Sequence, residues 1–393
     1  VTSASACAGY AGIPLTHREH NASVTFLTGH RAGADGLDSI DWARIASIPG
    51  TIAIYMGFYN LPVICRRLLE NGMVPNTPVA VIEWGTLPRQ KVCEGTLRNI
   101  AEHVRLKEMK PPCMIIIGDV VRLRSKLNWF EKLPLFGKRV LVTRTQNKAG
   151  LLSSGLRALG AAVTELPTIE IRPPRGWNDL DNAIHDLSET DWLVFTSAHG
   201  VEAFFGRLTG KHKKDARALG GLKVVCVGPE TAKALKEYGI QPDLLPKDFE
   251  TKAIPRALSK REGSLRGKKV MLVRTDIAPQ ELESALRRLG AVTRAVTGYR
   301  TASPRLDARV RRELLSAPPD YLTFTSASTA NNFSRMLGGL AFKRMAAKAV
   351  VASIGPVTSR ALGSLGVRVH CQAKEYHVPG LIQAIEAYAR RKK

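Results

Sequence analysis

The second half of this chain repeats itself, and that repeat restricts its fold more than any other feature. VLVTRT from Val140 matches VMLVRT from Val270, and each is followed by an amphipathic helical pattern closing on Leu-Gly-Ala at Leu159 and Leu289. VFTSAHGVEAFF from Val194 matches TFTSASTANNFS from Thr323, and CVGPETAKALKEYGI from Cys226 matches SIGPVTSRALGSLGV from Ser353. Three collinear matches at an interval of roughly 130 residues exceed the period of solenoid repeats and indicate a duplicated domain. Within each copy, short apolar runs alternate with helical patterns of about ten residues, the signature of a parallel α/β sheet. Strands of that kind are buried on both sides, so helices should cover each face.

The stretch WFEKLPLFGKRVLVTRT marks the end of a different module: a helix-like close at Trp129 and Phe130, a break from Pro134 to Gly137, then the apolar strand Val140 to Thr143. A chain of 393 residues is expected to hold two or three domains. No apolar stretch approaches the length of a membrane span and no charged-then-apolar leader opens the sequence, so a soluble, cytoplasmic protein with no membrane partner is expected. The six cysteines are scattered, with no CxxC pair and no histidine at ligand spacing, which predicts buried reduced thiols and no metal.

The net charge of +24 calls for an anionic partner. A nucleic acid or other polyanion is one candidate, yet the basic residues are dispersed, and no zinc finger, aromatic RNA-binding motif or basic recognition helix is present. A small polycarboxylate is an equal match, because arginine pairs with carboxylates bidentately.

In open parallel sheets, ligands bind beyond the carboxyl ends of the strands, where helix N-termini offer free N–H groups. Every repeated motif here is such a strand end. The run Leu193 to Phe195 delivers Thr196 and Ser197 to one terminus, and Thr325 and Ser326 take the same place in the second copy. These hydroxyls suit helix capping as well as ligand contact, and the two roles are compatible. In the GPxT turns, Gly228 and Gly355 permit a tight turn, Pro229 and Pro356 suit the first helical turn, and Thr231 and Thr358 lie near exposed amides. Arg144 and Arg274, at equivalent strand ends, would make a cleft between facing domains basic, though each is equally readable as a structural arginine.

The collinear set VLVTRT, PTIEI, the two FTS turns, the two GPxT turns and TGYRT resembles uroporphyrinogen-III synthases over residues 137 to 393. The resemblance implies two similar parallel α/β domains joined by a two-strand linker: one discontinuous, 137–172 with 300–393, and one of residues 173–299. The crossings would fall at Ile169 to Pro174 and Thr297 to Pro304, which have the extended, proline-flanked character such a linker needs. The implied reaction takes hydroxide from hydroxymethylbilane, leaving an azafulvene cation; this attacks the far ring, and a spiro intermediate then fragments and recloses to give uroporphyrinogen III. It requires no cofactor. Tyr299 matches the family's cleft tyrosine, whose phenol would assist the departing hydroxyl, with a packing role across the hinge as the alternative. Arg144, Ser197, Thr231, Arg274, Ser326 and Thr358 would bind the substrate.

Residues 1 to 133 resemble the carboxyl-terminal α/β subdomain of uroporphyrinogen-III C-methyltransferases through VTSASACAGYAGIPLTHRE, VTFLTGH, YMGFYNLP, IEWGT, QKVCEGTL and VVRLRSKLNWF. Such enzymes use S-adenosylmethionine to make precorrin-2, and full-length members are expected to be homodimeric. The match implies cofactor contacts at Thr2, Ser3, Met56 and Gly85, with Met56 alternatively a strand-end core residue. The family's glycine-rich loop is absent and the sequence opens at Val1, so the expectation is a fragment with an incomplete S-adenosylmethionine site and little methyltransferase activity.

Overall fold

The apolar runs of the sequence become the buried strands of three five-stranded sheets. A computed structural model describes residues 2–30, 36–143, 146–304 and 306–392. By its internal contacts the chain divides into two units, Val1–Thr168 with Leu306–Lys393, and Ile169–Arg305.

In the unit of residues 169–305 the strand order is Lys223–Cys226, Trp192–Phe195, Lys269–Thr275, Val292–Ala302 and Glu170–Arg172. The first four run parallel, and Glu170–Arg172 pairs antiparallel with the end of Val292–Ala302 through Arg172 and Arg300. That ladder lies where the chain enters and leaves the unit. Side chains alternate across the sheet, as pleating requires. Leu193, Phe195, Val224, Met271 and Val273 meet the helices Asn178–His185, Ala198–Gly210 and Pro229–Lys236 on one face. Trp192, Val194, Val225, Val270 and Leu272 meet Ile254–Glu262 and Glu281–Arg288 on the other.

The sheet of the other repeat copy belongs to the larger unit and is wholly parallel, in the order Cys371–Gln372, Val350–Ser353, Tyr321–Phe324, Arg139–Val142, Ala162–Glu165. Superposing the repeated motifs pairs four strands of each sheet in the same order, while the edge strands Glu170–Arg172 and Cys371–Gln372 lie at opposite ends and have no counterpart strand. What differs is the connectivity: here the two strands around the helix Gln146–Ala158 come first in the chain, whereas their counterparts Lys269–Thr275 and Val292–Ala302 come last.

The N-terminal sheet, in the order Val24–Thr28, Thr51–Tyr55, Cys113–Ile117, Pro78–Glu83, Lys91–Thr96, is mixed, with only its first pair parallel. The helix Ser3–Tyr10 covers one face through Ala4 and Ala8, and Leu61–Glu70 covers the other through Leu61, Ile64 and Leu68. The break at Pro134 to Gly137 is a packed joint within this unit: the Phe130 and Phe136 rings meet edge to face at 5.2 Å, and Leu135 N–H bonds the Leu159 carbonyl at 2.9 Å. Among the described residues no helix is long and apolar enough to cross a membrane.

Trp192 illustrates the cost of packing such a sheet. It is fully buried, and its indole N–H has no hydrogen-bond partner among the described residues. An unsatisfied buried donor costs about 1–3 kcal/mol, comparable to what a smaller ring loses in packing. Trp192→Phe should therefore change unfolding free energy by under about 1 kcal/mol, while Trp192→Ala should cost about 3–5 kcal/mol. Urea denaturation of both variants checks this, and a large loss on Trp192→Phe would show that the N–H is bonded.

Candidate functional site

In the unit of residues 169–305, Trp192–Phe195 ends at Ser197, whose extended backbone (φ −164°, ψ 158°) caps the helix Ala198–Gly210. The Ser197 Oγ accepts the Gly200 N–H at 3.1 Å and donates to the Tyr299 Oη at 2.9 Å. Tyr299 reaches it from the strand Val292–Ala302 and is 8% exposed, its ring meeting that of His199 edge to face with centroids 5.7 Å apart. Two residues proposed independently from the sequence are thus directly bonded. Burial pushes the Tyr299 phenol up, the Ser197 hydrogen bond lowers it, and the nearby Asp276 charge raises it, leaving a net shift upward from 10.0. The result is a phenol that stays protonated, accepts one hydrogen bond, and keeps its own O–H for another partner. Asp276, whose N–H bonds the Tyr299 carbonyl at 3.2 Å, was not foreseen, because nothing in the sequence ties it to the tyrosine.

Thr231 stands in the first turn of Pro229–Lys236 and is buried, with no side-chain hydrogen bond among the described residues. Arg274 is placed differently from the sequence expectation. Its guanidinium bonds Glu283 at 2.9 Å and the Pro279 carbonyl at 3.2 Å, with the side chain only 16% exposed. Its charge is compensated by a carboxylate of the next helix, so it holds that helix to the strand end.

The larger unit repeats the pattern. Ser326 caps Ala327–Leu337, accepting the Thr329 N–H at 3.2 Å in a reciprocal box with the Thr329 hydroxyl. Thr358 is buried in the first turn of Pro356–Ser364, as Thr231 is in its copy. Arg144 lies outside the described residues.

The glycines of the GPxT turns are not used as expected. Gly228 (φ −162°) and Gly355 (φ 176°) are extended, a conformation open to any residue, so no tight turn demands them. At Gly355 the reason is space: a Cβ there would stand 3.1 Å from the Tyr376 ring, which lies against the backbone. Phe249 occupies the same place beside Gly228, 3.6 Å from such a Cβ. Neither aromatic was singled out from the sequence.

In the N-terminal part, Thr2 precedes the helix Ser3–Tyr10 as its N-cap residue and its hydroxyl bonds the Tyr55 hydroxyl, next to Met56. Thr2, Ser3 and Met56 are all exposed, Met56 at 64% and in a left-handed conformation (φ 54°). Met56 therefore is not a core residue. Gly85 serves packing instead, since a Cβ there would lie 2.5 Å from the Cys7 sulfur; it admits the helix and presents no open cradle.

Residues 151–383 match the family described as Uroporphyrinogen-III synthase HemD, and residues 1–101 match Tetrapyrrole (Corrin/Porphyrin) Methylases. The chain is 35% identical over 334 residues to the porphyrin biosynthesis protein HemD of Ruminiclostridium josui, an overlap of 85% of this chain and 66% of that protein. Over 250 residues it is 34% identical to the uroporphyrinogen-III C-methyltransferase of Bacillus subtilis (strain 168), covering 62% of this chain and 50% of the other. Its first third is 49% identical, over 131 residues, to the siroheme synthase of Azotobacter vinelandii (strain DJ / ATCC BAA-1303), covering 33% of this chain and 28% of that protein. The chain thus spans between about a quarter and two-thirds of the length of these relatives.

Proposed function

As this chain belongs to the uroporphyrinogen-III synthase family, we propose that it closes hydroxymethylbilane into uroporphyrinogen III with inversion of ring D. The observation that carries the reading is the relay from Gly200 N–H through Ser197 to the buried Tyr299 phenol. Accepting a hydrogen bond makes the phenol a stronger donor, and protonation keeps that donor available. Its O–H protonates the departing hydroxyl, which leaves as water as the C–O bond breaks and the pyrrole nitrogen lone pair fills the vacancy to give the azafulvene cation; the proton lost from ring D at closure restores the phenol. Attack by the substituted carbon of ring D and fragmentation of the spiro intermediate then need a curled substrate and little water, which binding and shape provide.

Ser326 supplies a hydroxyl beside a helix N-terminus for a substrate carboxylate, and Ser197 does so in addition to serving Tyr299; Thr231 and Thr358, both buried, shape the turns whose helix amides would receive such groups. Arg274, already paired with Glu283, acts by fixing its helix. A polycarboxylate substrate also accounts for the +24 charge that alone suggested nucleic acid. The six free cysteines suit a reducing cytoplasm.

The match to tetrapyrrole methylases implies S-adenosylmethionine as the methyl donor of that part. Thr2, Ser3 and Met56 would contribute one wall of its site, and no methyl transfer by this chain is derived from them. The synthase reaction needs no cofactor.

The test supplies hydroxymethylbilane to the full chain, oxidises the products, and separates uroporphyrin isomers chromatographically. Isomer III in excess is expected. Isomer I alone, the spontaneous product, overturns the reading.

A further inference from the structure

The internal repeat extends one segment further than its strands. The interval of 127 residues that relates Gly228 to Gly355 also relates Lys247-Asp248-Phe249 to Lys374-Glu375-Tyr376. The surrounding loops share little else. In each copy the aromatic follows the glycine by 21 residues, and in each unit the chain folds back beside the glycine opening the helix, the Tyr376 ring lying against Gly355 and the Phe249 Cβ beside Gly228. Phe249 does so from a left-handed backbone (φ 48°), a conformation that is unfavourable for a bulky residue.

Burial does not explain this arrangement, because Phe249 is 54% and Tyr376 65% exposed. Each lies beside the glycine that follows the carboxyl end of a strand and precedes a helix. Lys247 and Lys374, two residues earlier, are exposed and have no ion-pair partner among the described residues. An open aromatic face beside a cation and a helix N-terminus matches one kind of group: an electron-rich ring bearing carboxylate arms.

We propose that Phe249 and Tyr376, each within its own unit, are stacking platforms for the face of a pyrrole ring of the linear tetrapyrrole. This inference rests on the synthase reading above. Stacking suits this substrate because it fixes the plane of a ring without selecting among its substituents, and a flexible chain of pyrroles must be held in one curl before its ends meet. The two are positioning residues that take no part in bond breaking.

The experiment measures KM and kcat for hydroxymethylbilane with the full chain and five variants. Phe249→Ala and Tyr376→Ala should each raise KM about tenfold, the order of a lost ring stack. Phe249→Tyr and Tyr376→Phe should retain the wild-type KM, since both preserve the face. Gly355→Ala should raise KM as Tyr376→Ala does, because its Cβ displaces a chemically intact ring. Isomer III made with KM within twofold of wild type in both alanine variants overturns the stacking inference alone. Raised KM that the conservative swaps share also overturns it. A wild-type chain that makes only isomer I removes the synthase reading and this inference together.

Discussion

Tyr299→Phe is expected to lower kcat for hydroxymethylbilane cyclisation by about a hundredfold, the lower end of what a positioned proton donor contributes, with little change in KM. The substitution removes one oxygen from a ring that otherwise packs unchanged, so thermal stability should move by little more than the loss of one hydrogen bond, about 1 kcal/mol. Ser197→Ala should have a smaller effect, because the phenol keeps its own O–H and loses only the bond that polarises it. Steady-state kinetics with isomer analysis decides the matter: unchanged kcat in Tyr299→Phe would reduce the tyrosine to a packing role. The pH profile adds a second check. Burial holds the phenol above its ordinary 10.0, and only the protonated form donates, so this group imposes no loss of rate at neutral or mildly alkaline pH. Its contribution disappears only as pH rises through that elevated value.

Arg124→Ala should destabilise the N-terminal part by about 2–3 kcal/mol, the cost of losing charged hydrogen bonds from a buried cation whose carboxylate partners stay partly exposed. Arg124 is 7% exposed and spends every arm of its guanidinium: on the Ala11 carbonyl at 2.6 Å, Glu94 at 2.9 Å and Glu131 at 2.7 Å. The Ala11 carbonyl closes the helix Ser3–Tyr10, so the cation also sits where that helix dipole favours it. Glu131 is further held by Gln90 at 2.9 Å and Asn128 at 3.2 Å. Burial pushes its carboxyl up, but hydrogen bonds from Arg124 and Gln90, the Arg124 charge and the Asn128 bond outweigh this and leave it below 4.5. A depressed carboxyl stabilises the fold above its unfolded value, and that stability is lost as pH falls through the folded value. Arg124→Ala should reduce this acid sensitivity along with the stability. Urea unfolding and amide exchange in Ser3–Tyr10 measure both; a cost below about 1 kcal/mol would mean that water replaces the arginine.

What could be read from the sequence was whatever is written locally or twice. The strands of residues 137–393 were legible because VLV, LVF and similar runs must be buried on both faces, and the matched pairs told which strands correspond. Ser197 and Ser326 were legible as strand ends followed by helices. Arg274 stayed open between a cleft and a structural role because its partner Glu283 comes from the next helix, and an arginine at a strand end looks the same in sequence whether free or paired. The glycines of the GPxT turns were assigned to backbone conformation when one of them makes room for a ring. Phe249 and Tyr376 escaped notice although the repeat held them, because the comparison followed apolar strands and these lie in polar loops. The Arg124 cluster joins residues more than a hundred positions apart, and no spacing announces it.

The interrupted sheet of the larger unit bears on how the chain is made. Arg139–Val142 pairs with Ala162–Glu165 as soon as both have left the ribosome, but its other neighbour is Tyr321–Phe324, about 180 residues downstream. At ordinary synthesis rates that edge waits roughly ten to forty seconds. The four parallel strands of the inserted unit lie contiguously between Trp192 and Ala302 and can assemble during the wait. Until Tyr321–Phe324 emerges, Arg139–Val142 therefore keeps one unpaired edge, the condition in which strand exchange with a neighbouring nascent chain begins.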